Sequence, residues 1–157
     1  MSNTIQFNAQ LDVFARNMDM ALDKVIRKVA LDVFTKTVVL TPVDSGALRA
    51  SWVIGVNIVS ADKVSVSGGK LGKGGASMIA KQQLAKLSTV KAGDSVNITN
   101  NQPYAGVVEY GLFLGNGPKI TQDGYSTQAP AGMLRKSVQI VENSIINASS
   151  VWMRVRG

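Results

Sequence analysis

An α+β fold, with a mostly antiparallel sheet packed against a long N-terminal helix and a C-terminal helix, is what three patterns in this 157-residue chain predict. Apolar residues recur at three- and four-residue steps from about Asn8 to Leu40, they alternate from Trp52 to Ile58, and helical spacing returns after Pro130.

The first pattern places Leu11, Phe14, Met18, Leu22, Val25, Val29 and Val33 on one side of a helix, with Asp12, Asp19, Asp23, Arg27 and Lys36 largely elsewhere. Acids gather in its first half and bases in its second, as the helix dipole favours. Such a helix spans roughly 45 Å and needs a partner surface along most of its length. It stops before Pro42, which lacks an amide hydrogen and disfavours helical Thr41. Asp44-Ser45-Gly46 reads as a turn. Trp52, Ile54, Val56 and Ile58 then alternate with Ser51, Val53, Gly55 and Asn57, the period of a half-buried strand, and Lys63 to Ser67 is expected to pair with it as a hairpin across Ala61-Asp62. The glycine-rich stretch Gly68 to Gly75 predicts a flexible loop, and Ser77 to Leu87 a weak helix. A third strand is expected at Asp94 to Thr99, followed by a turn at Asn100-Asn101-Gln102-Pro103. Tyr104 to Tyr110 is apolar without a clear period, and Leu112 to Gln128 reads as a long loop. Met133, Leu134, Val138, Val141, Ile145 and Ala148 form the last helical stripe. Neither repeat nor linker divides the chain, so residues 1–157 read as one domain carrying a flexible, basic, glycine-rich insertion at about 67–93.

Composition narrows the function classes. At 45% apolar and 17% charged residues the chain is too hydrophobic for disorder, and it has no stretch near the ~18 uninterrupted apolar residues of a membrane span. Its N-terminus has no basic run leading into an apolar block, so neither export nor membrane contact is expected. Zero Cys and zero His remove disulfides, thiol chemistry, thiolate metal sites and the commonest general base, so neither an enzyme nor a cofactor is expected. The net charge of +7 is concentrated: Lys63, Lys70, Lys73, Lys81, Lys86 and Lys91 lie between Asp62 and Asp94 with no acid among them. Such a segment suits DNA or an acidic protein partner, by non-specific electrostatics, since no aromatic residue lies between Lys63 and Lys91 to stack on bases.

The motifs that invite chemistry fail on inspection. Ser67-Gly-Gly-Lys-Leu-Gly72-Lys73-Gly74 approaches a phosphate-binding loop, but Ser67 stands in place of the first glycine and Gly74 in place of the hydroxyl residue that would hold magnesium. Asp44, Asp94, Glu109 and Asp123 show no paired spacing for acid–base work. Arg49 and Glu109 are instead expected to pair with each other, since a carboxylate within Val107-Val-Glu-Tyr110 needs a partner and a guanidinium can grip it with two hydrogen bonds.

Three segments carry a resemblance. Thr41-Pro-Val-Asp-Ser-Gly-Ala-Leu-Arg-Ala-Ser-Trp52, Asn100-Asn-Gln-Pro-Tyr-Ala-Gly-Val-Val-Glu-Tyr-Gly111 and Ala129-Pro-Ala-Gly-Met-Leu-Arg135 resemble, in order and spacing, the signature of tailed-bacteriophage neck and tail-completion proteins related to the lambda minor tail protein Z group. Ser45 replaces the more usual Thr. The resemblance implies a non-catalytic virion protein at the neck or head-proximal end of the tail, assembled in the bacterial cytoplasm, ring-forming, and joining tail to head. Its implied partners are further copies of itself, connector proteins, tail-terminator or tail-tube proteins, and DNA in the lumen. A tail terminator is the neighbouring alternative, and a non-specific nucleic-acid-binding protein is the alternative from another class. The implied signature residues are Thr41, Pro42, Asp44, Gly46, Leu48, Arg49, Trp52, Asn100, Pro103, Tyr104, Ala105, Glu109, Gly111, Pro130, Gly132 and Met133. The basic surface of Lys70, Lys73, Lys81, Lys86 and Lys91 stands apart from the resemblance.

Overall fold

The computed structural model describes residues 2–62, 70–115 and 117–155. Helix α1 (Ser2–Leu40) has 39 residues, about 58 Å at ~1.5 Å per residue. Its second half is embedded: Ala30, Phe34 and Val38 enter the core, whereas Val13 to Leu22 are exposed. Two hydroxyls continue its carbonyl ladder at the end, Thr37 Oγ1 donating to Val33 O at 2.8 Å and Thr41 Oγ1 to Thr37 O at 2.6 Å. Pro42 then prevents a further turn.

After the turn, Gly46 adopts a left-handed φ of 93° and starts the one-turn helix α2 (Ala47–Ala50). This short helix has too little periodicity to be read from sequence. Strand β1 (Trp52–Val56) follows and pairs antiparallel with β2 (Val96–Asn100), Ile54 opposite Ile98 and Val56 opposite Val96. The strand partner is therefore some forty residues away. The expected partner, Lys63 to Ser67, lies outside the described residues.

The half-buried reading of β1 needs correction, because Trp52 to Gly55 are all buried. Trp52 and Ile54 face α1, while the chain beyond the strand turns back over the other face. Asn57 makes that reversal with φ 59°, ending β1 two residues before the expected Ile58. Thr99 Oγ1 and Asn101 Nδ2 hold the returning segment at Ser60 O, at 3.2 and 2.9 Å. A Cβ on Gly55 would stand 2.2 Å from Ile58 O, so only glycine admits this path.

The glycine-rich stretch also departs from expectation. Gly72 to Gly75 form the first turn of α3 (Gly72–Lys81), and the chain continues as a 3-10 segment, Gln82–Thr89. Each helical glycine costs about 1 kcal/mol relative to alanine, and tertiary burial overrides that propensity. Ala76, Ala80, Leu87 and Val90 are buried, and Leu71 N donates to Ser45 O at 2.9 Å. The 3-10 segment also covers the edge of β1 away from β2. Gln83 Oε1 accepts from Ile54 N at 3.5 Å, and Lys86 Nζ donates to Ile54 O at 3.0 Å. Side chains there occupy the place of a third strand.

Tyr104 to Tyr110, unassigned by periodicity, resolves as α4 (Ala105–Tyr110), ended by Gly111 at φ 65°. The long loop is present and turns at Asp123-Gly124, where Ile120 bridges Ser126. Helix α5 (Leu134–Val155) lies along α1. One core joins Phe34, Val38, Trp52, Ile54, Val90, Val108 and Met133.

Candidate functional site

The three signature segments, scattered over ninety residues of sequence, come together in the fold, where several of their side chains act as locks on helix ends. Trp52 Nε1 donates to Thr41 Oγ1 at 2.7 Å inside the core, tying β1 to the end of α1. Asn100 Nδ2 donates to Leu48 O at 2.7 Å, which closes the end of α2. Gly46 is held against α3, since a Cβ there would lie 2.9 Å from the Leu71 Cβ. Leu48, Ala105 and Met133 are buried, whereas Asp44, Pro103, Tyr104 and Pro130 are exposed.

The expected Arg49–Glu109 pair does not form. Arg49 donates from Nε and Nη2 to Thr41 O, at 3.1 and 2.6 Å, and from Nη2 to Val39 O at 3.1 Å, so its charge sits on the carbonyl end of α1. Burial lowers its pKa from the ordinary guanidinium value. Glu109 instead caps the amide end of α5. Its carboxylate accepts from the backbone N–H groups of Met133, Leu134 and Arg135 at 2.8, 2.9 and 2.9 Å, and from Arg135 Nε at 3.3 Å. Each charge is matched by a helix terminus of opposite partial charge, a partner that sequence reasoning did not weigh. Gly132, at φ 80°, is required there because a Cβ would stand 2.7 Å from Glu109 O and 3.0 Å from Oε1.

Arg135 completes the lock and was the residue that sequence reasoning missed. Its guanidinium lies 4.9 Å from the Tyr110 ring centroid and 5.9 Å from that of Tyr125, and donates to Glu109 O. The Tyr125 hydroxyl, then the Glu109 carboxylate, raise its pKa. The signal was its place in the third segment, one helical turn after Gly132. Gly111 lets the Tyr125 ring pack against the backbone, where a Cβ would meet ring carbons at 2.8 Å.

Above these locks lies a cleft of about 310 Å³, formed by Pro42, Asp44, Tyr104, Phe113, Lys119 and Gln128 among others. Tyr110, Leu112 and Leu114 stand exposed nearby in the chain, Leu114 fully so. Burial first, and then the Asp44 charge, raise the Tyr104 hydroxyl pKa, so it stays protonated as a hydrogen-bonding group. The cleft mixes apolar walls with one acid, one base and one phenol. That chemistry suits a protein segment held by shape and hydrogen bonds. Among the described residues no group of three His, Cys, Asp or Glu side chains could hold a metal ion, and no helix is long and apolar enough to cross a membrane.

The lysines are not one uniform surface. All five described lysines of the basic segment are exposed, but Lys70 pairs with Asp44 at 3.2 Å and Lys86 donates to β1, while Lys73, Lys81 and Lys91 form no ion pair among the described residues. Lys63 lies outside the described residues.

No curated protein and no solved structure matches the chain. A family model does, described as "Bacteriophage HK97-gp10, putative tail-component", over residues 5–111, about two thirds of the chain. That range runs from α1 to the end of α4 and contains the first two signature segments whole. With the interlocking of those segments, the match establishes that the chain belongs to the HK97-gp10 family of bacteriophage tail components.

Proposed function

We propose that this tail component is a neck or tail-completion subunit, which joins the tail to the head as a homo-oligomeric ring and acts without catalysis. The observation that carries the reading is the distribution of uncovered apolar side chains. Two groups stand out among the exposed ones: the stretch of α1 from Val13 to Leu22, with Val13, Phe14, Met18 and Met20 about half exposed or more, and the cleft end, with Tyr104, Tyr110, Leu112 and Leu114. A monomer has no use for two such surfaces, whereas a ring subunit needs one for its neighbours in the ring and another for the layer above or below.

Deleting the gene and imaging the particles tests this. Filled heads and finished but unattached tails are expected, together with several copies of the protein around the tail axis in complemented particles. Overlong tail tubes would favour a terminator instead. Joined particles without the protein, or a single off-axis copy, would remove the proposal.

A further inference from the structure

We propose that neighbouring copies join head to tail, the projecting half of α1 from one copy lying along the groove between α1 and α5 of the next. This rests on the ring reading above and specifies the surface that closes it. Phe14, Met18 and Leu22 are spaced four residues apart, on one side of α1, and are 46–62% exposed. A solvated helical arm with such a stripe is marginal in water and gains most of its stability from an apolar partner. The groove supplies one. It has a volume of about 420 Å³, with a floor of Val29 and Val141 and a wall bearing Val25, Ile145 and Ala148.

Charge selects the occupant. The groove is rimmed by Lys24, Lys28 and Lys36 against one acid, Asp32, and Lys28 already pairs with that acid. Lys24 and Lys36 form no ion pair among the described residues. The rim therefore favours an apolar helix of net negative charge. The first half of α1 is such a helix, with Asp12 and Asp19 against the single base Arg16 before the embedded part begins at Asp23, which is tied to Ala92 N and Arg27. The arm and the groove are different surfaces set at different heights on one helix. With each arm entering the groove of the next copy and no reciprocal exchange, the proposed contact is heterologous, the kind that builds rings.

The absence of cysteine makes this directly readable. Phe14→Cys and Ile145→Cys variants are supplied in trans to phage lacking the gene, and purified particles are treated with a short bismaleimide, the linked peptides being identified by mass spectrometry. The expected result is a Phe14–Ile145 link when the two single variants are mixed, little linking in either alone, and a ladder of multimers from the double variant. Asp19→Lys should weaken the contact about fivefold, as a partly exposed ion pair does, with less effect in high salt. Efficient linking of Phe14→Cys to itself would mean that arms pair with arms and would overturn the proposal. A double variant that stops at dimers would overturn its head-to-tail form, and indifference to Asp19→Lys its charge matching. Particles holding several copies around the axis with no Phe14–Ile145 link would defeat the docking while leaving the ring intact. A particle holding one copy would defeat both.

Discussion

Replacing Glu109 by alanine isolates the largest single lock in the fold. Its side chain is 10% exposed and accepts from three successive backbone amides at the start of α5. The Met133 N–H is buried, and leaving it without an acceptor costs about 1–3 kcal/mol. The Leu134 and Arg135 amides are only part-buried, so losing their cap costs about 1 kcal/mol. The lost attraction between the carboxylate and the positive end of α5 adds about 0.5–1 kcal/mol. The expected destabilisation is roughly 2.5–5 kcal/mol in all, read from the shift in urea midpoint at constant slope.

Arg135→Ala provides the control. Its side chain is 47% exposed, so solvent screens its ion pair with Glu109 and the pair contributes little. The ring contacts with Tyr110 and Tyr125 add to this, and the expected loss stays well below that of Glu109→Ala. The helix cap, and not the ion pair, therefore carries the energy. Glu109→Gln should fall between the two, since one amide oxygen still accepts but the NH₂ group faces donors. If Glu109→Ala costs under about 1 kcal/mol, or no more than Arg135→Ala, the capping argument is wrong.

Three further outcomes are expected. Thr41→Val keeps the volume of a fully buried side chain but strands the Trp52 indole N–H, and should cost about 1–3 kcal/mol by chemical denaturation; a neutral substitution would show that the indole finds another partner. The Asp94 carboxylate is held below its ordinary pKa by the Asn57 amide and then the Lys91 N–H. The group favours folding when ionised, so its stabilisation is present above the unfolded value of about 4 and is lost as pH falls through the folded value. Wild type and Asp94→Asn should therefore converge in melting temperature in acid and diverge at neutral pH, and parallel curves would count against the assignment. Finally, if the exposed Lys73, Lys81 and Lys91 face DNA in the particle, purified protein should bind duplex weakly, without regard to sequence, and lose affinity steeply with salt; substitution of all three should flatten that salt dependence.

Local pattern was enough for the parts of this protein whose structure is decided locally. The long helix to Leu40, the stop at Pro42, the turn at Gly46, the strand from Trp52 and the return of helical spacing at Met133 all rest on periodicity or on backbone restrictions of single residues, and the chain obeys them, although the stripe from Phe14 to Val25 stays exposed. The first two signature segments were equally legible, and they lie within the range matched by the family that the chain belongs to. Tertiary structure decided the pairings. β1 finds its partner at Val96–Asn100 because register depends on which faces can be buried together. Gly72 to Gly75 become helical because burying Ala76 and Ala80 outweighs a poor propensity. Arg49 and Glu109 part company because each has a helix terminus within reach, and the aligned peptide dipoles there offer an opposite charge that exists only after folding.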